Sequence, residues 1–456
     1  MRYVKLLWDL YQLKRNIKKS AARIQKLQGD KLQKVLTYAY QHSAYYRRTF
    51  EENGITKENI FKMPLSSFPT IDKIQLLEHF DELITVSDLN QEELRRFDKE
   101  NTTDRKPLKG KYHVVHSSGS TGKPGYFIYD ESAWNTMLLG IIRAALWNMS
   151  MSQILKFLAC EPRIVYIAAT DGHYGGAMAV GDGIEGVHAK QLHLDIKTPL
   201  HEWVSQIKRF KPNMIIGYPS AIKILAELIE KGEIELNIFR VISCGEPLGA
   251  SLRNYLEYIL KAEVINFYGA SESLALGVEM DTAEGMILFD DMNVIEVQNG
   301  NMYLTSLYNF AQPLIRYRLS DSLTLRKPDE NSRYPFTRAV GLLGREEDIL
   351  WFEDRNGHRE FLHPLAIEGF CIEGLKDYQF RQTCKDTFEM LAEISDSASE
   401  NRIRREILLQ MKGILRGGGK GLDYVQFFVK FVDEILPDLR TSKKRLIIKE
   451  IQKMEA

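Results

Sequence analysis

Between His116 and Pro124 the chain reads His116-Ser117-Ser118-Gly119-Ser120-Thr121-Gly122-Lys123-Pro124, which packs hydroxyls, two glycines and a lysine into one short stretch. Runs that read as β-strands flank it, Tyr112–Val115 before and Tyr126–Tyr129 after. Glycines let backbone N–H groups come close to an anion, hydroxyls add rotatable donors, and Lys123 adds a charge. A polyphosphate suits such a loop. Ser/Gly/Thr-rich hairpin loops are also common without any ligand. The Walker pattern fails here, because Ser117 stands where its first glycine belongs and Pro124 where its Ser/Thr belongs. The loop alone therefore decides nothing.

Other segments carry chemistry-bearing residues at the ends of expected strands. They are Ser243-Cys244-Gly245-Glu246-Pro247-Leu248, Phe267-Tyr268-Gly269-Ala270-Ser271-Glu272, Arg316-Tyr317-Arg318-Leu319-Ser320-Asp321 and Gly344-Arg345-Glu346-Glu347-Asp348. Each has a plain explanation as a turn, a cap or a solvated charge run. Thr170-Asp171-Gly172-His173-Tyr174-Gly175-Gly176 and Gly217-Tyr218-Pro219-Ser220 follow two further strands. A histidine beside glycines is as often a loop residue satisfied by backbone hydrogen bonds as a catalytic one.

The elements that must hold these residues follow from periodicity. Residues 1–90 read as helical, with breaks at Pro64 and Pro69. Candidate strands Ile164–Ala169, Met214–Gly217, Phe239–Ser243 and Val264–Tyr268 alternate with amphipathic helices. One helix starts at Thr198-Pro199, and another runs from Pro219 to a stop at Gly232. Such β-α-β succession implies a parallel sheet, whose ligands sit off the carboxyl ends of the strands. Beyond residue 285 the texture turns antiparallel. Asn299-Gly300 and Asn356-Gly357 supply tight-hairpin turns, and Gly417-Gly418-Gly419 reads as a loop after a helix.

Composition excludes several classes. Of 456 residues 44% are apolar and 27% charged, ordinary for a globular chain of two or three domains. Lys+Arg and Asp+Glu both count 61, so no net field recruits nucleic acid. Cys160, Cys244, Cys371 and Cys384 are widely spaced, against a zinc knuckle or disulfide framework and in favour of a reducing compartment. No apolar run has the length of a membrane span, and no signal peptide is evident. A cytoplasmic location is expected. Residues 1–26 carry eight basic side chains against Asp9 alone, with Leu7, Leu10, Tyr11, Ile17, Ala21 and Ile24 near helical spacing. A membrane-surface helix is one reading, and packing of the apolar stripe on its own domain is the favoured one.

The joint order of the segments resembles the adenylate-forming enzymes, the superfamily of acyl- and aryl-CoA ligases, luciferases and peptide-synthetase adenylation domains. Within it the chain is most similar to phenylacetate–coenzyme A ligase-like proteins and their capsule-associated relatives. The resemblance implies an α/β fold. A large N-terminal domain, 1–343, would hold a parallel α/β sheet and an antiparallel β subdomain, with 1–90 as a mostly helical lead-in. A small mobile α+β C-terminal domain, 344–456, would follow.

Carried over residue by residue, the resemblance gives Ser117, Ser118, Gly119, Ser120, Thr121, Gly122 and Lys123 to the triphosphate of ATP. Gly245, Glu246 and Pro247 would line the adenine pocket, Tyr268 would lie against the purine, and Gly269 and Ser271 would complete the nucleotide site. Glu272 would ligate Mg2+, Asp321 would bind the ribose hydroxyls with Arg345 assisting, and Glu347 would be the hinge. Lys444 matches the catalytic lysine, with Lys443 as the alternative. The run Leu439-Arg440-Thr441-Ser442-Lys443-Lys444-Arg445 departs from the family by a lysine in the usual glycine's place and one residue fewer before Ser442. Ser120, where relatives often carry threonine, keeps the hydroxyl. His173, Tyr174, Tyr218 and Ala270 are candidates for the acid pocket, His173 also for a catalytic part.

These assignments make chemical sense. Adenine wants an aromatic face, a ribose diol wants a carboxylate accepting two hydrogen bonds, and Mg2+ wants one or two carboxylates beside phosphate oxygens. The expectation is an ATP-dependent ligase that converts a carboxylic acid, aryl or small acyl, to acyl-AMP and passes it to coenzyme A. Alternatives are a carrier-protein, amine or sugar acceptor, and a non-catalytic nucleotide-binding regulator. Expected partners are small molecules, without nucleic acid or a membrane span, and a homodimer stays open.

Overall fold

The computed structural model describes the chain except residues 1, 101–105, 117–124, 160, 169–188, 196–197, 199, 281–283, 320, 346–349, 354–358, 363–366, 368–369, 371, 396–398, 417–421, 437–443 and 451–456. The fold is mixed α/β, with a nine-stranded mixed sheet, smaller antiparallel sheets and a C-terminal four-stranded sheet with its helix. By contacts the chain divides into two units, one of residues 1–198 and 267–340, the other of residues 199–266 and 341–456. No helix among the described residues is long and apolar enough to cross a membrane.

The first unit opens with helices Arg2–Asn16, Ala21–His42 and Ala44–Glu52. Leu10 and Leu13 pack with Leu139, and Ile24 is buried, so packing holds this end of the chain. The stripe differs from its sequence reading, since Leu7, Trp8 and Tyr11 remain exposed. A buried ion pair anchors the same region. Arg143, on helix Glu131–Ala145, grips Asp291 at 2.6 and 3.0 Å, and both side chains are 0% exposed. Asn16 donates to the same carboxylate at 2.6 Å, and Lys31 donates to the Asp291 carbonyl at 2.6 Å. Burial pushes the Asp291 carboxyl upward, but Arg143, Lys31 and Asn16 together hold it below the usual range.

Strands Tyr112–His116 and Tyr126–Asp130 pair antiparallel with His116 opposite Tyr126. Strands Arg163–Ala168 and Lys190–Asp195 pair parallel. Asn293–Gln298 and Asn301–Ser306 make a tight hairpin in which Asn299 and Gly300 both take positive φ, +53° and +78°. That is the backbone a two-residue primed turn demands, and Asn-Gly is its favoured sequence. Tyr317–Leu319 adds a third strand, followed by Asp321–Arg326.

The second unit holds a β-α-β turn of chain. Strand Met214–Gly217 feeds helix Pro219–Glu230, with proline at its first turn, and returns as strand Arg240–Cys244 in parallel register. The remainder is the four-stranded sheet, ordered Gln426–Phe431, Thr387–Ile394, Leu375–Gln382, Ile447–Lys449. Its central pair is antiparallel and both flanks are parallel. Helix Glu400–Arg416 covers it with Ile403, Ile407, Met411 and Leu415, a four-residue repeat that keeps one face apolar. The glycine run 417–419 and the Asn356-Gly357 turn lie outside the described residues.

Candidate active site

Strand Val264–Ala270 ends in the Tyr268–Glu272 segment, and the chain turns at once into strand Ser273–Glu279. Gly269 is required by that reversal. A Cβ there would lie 2.5 Å from the Leu274 carbonyl oxygen. Tyr268 is buried, and its hydroxyl donates to Asp321 Oδ2 at 2.6 Å. The two residues expected at the purine and the ribose, 53 positions apart, are thus in direct contact.

The same turn meets the hairpin of the Ser/Gly/Lys loop. Ser271 Oγ donates to the His116 carbonyl at 3.3 Å, and Tyr129 donates its hydroxyl to the Ser271 carbonyl at 3.0 Å. His116 is the last residue before the loop and Tyr129 lies on the strand after it, so both arms of the hairpin are tied to the segment carrying Glu272. Burial raises the phenols of Tyr129 and Tyr317 well above their ordinary range, and the nearby Glu272 charge raises both further. Beyond the hairpin, Gln312 accepts from the Ile128 amide at 2.8 Å and donates to Tyr126, while Asn309 donates to Ile128 at 2.8 Å. Arg316 is structural. It has φ +49° and spends its guanidinium on Glu296, Gln298, Ser66 and Phe68.

In the second unit, strand Arg240–Cys244 delivers Gly245 with φ +80°, and a Cβ there would meet the Tyr218 ring at 2.7 Å. Tyr218, expected to wall the acid pocket, therefore lies flush against the segment expected to hold adenine. Glu246 is buried and accepts from the Ser220 amide at 3.2 Å and the Lys444 amide at 2.7 Å. Burial raises its carboxyl, and those two donors partly offset the rise. The Lys444 ammonium is hydrogen-bonded to the buried Asp377. Pro247, Leu248, Asp377 and Lys444 help to line a cavity of about 30 Å³, room for about one water and not for a nucleotide.

Several expected residues lie outside the described ones: Ser117, Ser118, Gly119, Ser120, Thr121, Gly122, Lys123, His173, Tyr174, Glu347 and Lys443. Arg345 closes strand Arg338–Arg345, but its side chain is also outside them. Ala270 ends its strand half-buried. Sequence reading missed Asp377. The available signal was an acid within Leu375-Lys376-Asp377-Tyr378-Gln379-Phe380, in the same strand phase as the buried Gln379 and out of phase with the core residues Tyr378 and Phe380.

Comparison with known proteins agrees with this frame. No family model matches the chain. A phenylacetate-coenzyme A ligase of Escherichia coli (strain K12) is 26% identical over 355 residues, 73% of either chain. Protein CapK of Staphylococcus aureus is 22% identical over 453 residues, 93% of this chain and 89% of its own. A solved structure of 2-hydroxyisobutyryl-CoA ligase in complex with 2-HIB-AMP, in the postadenylation state, superposes with a TM-score of 0.70 at 21% identity. It covers 96% of this chain and 92% of that one. Over most of its length the chain is thus similar to phenylacetate-coenzyme A ligases, and it shares the fold of an acyl-CoA ligase of the adenylate-forming kind.

Proposed function

We propose that the protein is an acid–coenzyme A ligase working through an acyl-adenylate, with an aryl or small acyl carboxylate as substrate. Carboxylates are poor electrophiles at neutral pH. Attack of the carboxylate oxygen on the α-phosphorus of ATP forms the acyl–phosphate bond and expels pyrophosphate. The coenzyme A thiolate then attacks the acyl carbon, forming the thioester and releasing AMP. The relatives named for coenzyme A ligation support both halves of this reading.

The observation that carries it is the Tyr268–Asp321 hydrogen bond beside the turn bearing Glu272. In this reading the Tyr268 ring faces the purine and its hydroxyl orients Asp321. The Asp321 carboxylate accepts from the ribose hydroxyls, a charge-assisted contact. Residues 117–123 hold the phosphates, with Thr121 and Lys123 at the β- and γ-positions. Glu272, a single carboxylate next to polyphosphate, would hold Mg2+, which would supply neutralisation of the phosphate charge. Lys444 stabilises charge on the α-phosphate and the attacking carboxylate. His173, Tyr174, Tyr218 and Ala270 border the acid. Residues 344–456 act as the mobile portion, with the hinge at Glu347, so that one site serves two unlike steps.

The test is pyrophosphate release from ATP over a panel of aryl and short aliphatic acids, with and without coenzyme A. Acid-dependent release, with thioester formed only when coenzyme A is present, is the expected result. ATP binding without acid-dependent release from any member would overturn the reading in favour of a nucleotide-binding regulator.

A further inference from the structure

The residues around Lys444 are laced to one strand atom by atom. The Lys444 ammonium meets Asp377, the Arg445 carbonyl accepts from Gln379 Nε2 at 2.7 Å, and the Leu446 carbonyl accepts from the Phe380 amide at 2.8 Å. Ile447 then stands opposite Phe380 in parallel register. On the other side the Lys444 amide is taken by Glu246, whose second oxygen holds the Ser220 amide at the start of helix Pro219–Glu230. Asp377 and Glu246 are 5% and 8% exposed. Burying two carboxylates is costly, and a merely solvated basic run gives no reason for it. The environment is already acidic, because Glu393 lies nearby and is itself paired with Lys223 at 2.5 and 2.6 Å. In that setting Asp377 calls for its own cation, and Lys444 supplies it.

We propose that Asp377 is a positioning residue that, together with Glu246, holds Lys444 for the acid-adenylation step. It rests on the reading of Lys444 given above and extends it to residues no motif names. Asp377 sets the direction of the side chain through its charge, while Glu246 fixes the main chain and ties it to the segment expected at the adenine. The contribution is confined to one half reaction, since the lysine serves attack on the α-phosphorus and not attack by the thiol.

The test uses the full chain and the panel acid giving the fastest pyrophosphate release. Adenylation is followed by pyrophosphate–ATP exchange, and thioester formation by supplying the matching synthetic acyl-adenylate with coenzyme A. Lys444→Ala sets the loss that absence of the lysine causes. Asp377→Asn is expected to slow exchange by about 10- to 100-fold, mostly in kcat, as misplacement of a reacting group does. The thioester half reaction should stay within about twofold of the parent. Asp377→Glu keeps the charge, and the adjoining cavity gives its extra methylene room, so part of the exchange activity should return. In Glu246→Ala, amide hydrogen exchange at Lys444 should quicken without any substrate present.

Equal losses in both half reactions of Asp377→Asn would make the residue structural and overturn the proposal. So would an unaltered exchange rate in Asp377→Asn when Lys444→Ala is impaired. Unaltered exchange in Lys444→Ala itself would instead remove the lysine assignment on which the proposal rests. Failure of every acid to release pyrophosphate would remove the ligase reading before either.

Discussion

The pair Tyr268 and Asp321 shows how one phenol can serve two ends. Its ring offers an apolar face while its hydroxyl, 2.6 Å from Asp321 Oδ2, fixes the carboxylate that the proposed function gives to the ribose. Asp321→Asn replaces a charged acceptor with a group that also donates. It should raise the KM for ATP by about 10- to 100-fold, the worth of one or two charge-assisted hydrogen bonds. Tyr268→Phe keeps the ring and loses only the orienting hydroxyl, so a rise of about fivefold is expected, about 1 kcal/mol. Equilibrium binding of ATP to the two variants measures both. Tyr268 and Asp321 were legible as separate motif residues, but their contact was not. Hydrogen bonds across 53 positions depend on how strands are laid side by side, and no local spacing encodes that. Asp377 was harder still, because nothing distinguishes a strand acid that binds a cation from one that faces solvent until the sheet is assembled.

At the level of elements, the helix Arg2–Asn16 and the helix Glu131–Ala145 are joined through Asp291. The joint is a single carboxylate shared by Arg143 and Asn16, with Lys31 on its carbonyl. The Arg143 guanidinium also lies 4.3 Å from the centre of the Phe289 ring. Arg143→Met should cost about 3–5 kcal/mol, because it removes the two-pronged partner of a buried charge and leaves only Asn16 and Lys31 beside it. Chemical denaturation of the variant reads that loss directly. The sequence showed the basic N-terminal helix and its apolar stripe, yet placed Leu7 and Tyr11 inward. Periodicity gives the spacing of a face but cannot say which side of a helix finds a neighbour, and here Leu10 and Leu13 did. Strand ends were read more faithfully. Met214–Gly217 matches its expected bounds, and Asn299-Gly300 makes the turn its chemistry dictates.

For the molecule as a whole, pH enters through Asp290, whose carboxyl burial lifts to about 6 despite the Thr337 amide donating to it at 2.6 Å. A carboxyl raised on folding binds its proton more tightly in the native state than in the unfolded chain. Its contribution is therefore present below the ordinary aspartate range and fades as pH rises from about 4 to about 6. Asp290→Asn should remove that decline, which thermal melts across the interval compare with the parent. The α/β class and the antiparallel region were visible in the sequence because period and turn chemistry are local properties. The grouping of residues 199–266 with 341–456 was not, since it comes from contacts between distant stretches. One consequence concerns the run before Lys444, which the resemblance reads as one residue shorter than the family pattern. The lysine takes its phase from the downstream strand, where Ile447 is zipped opposite Phe380. A deletion upstream of Ser442 shortens only the approach and leaves the ammonium where it was. A deletion between Lys444 and Ile447 would swing it to the opposite side of the sheet.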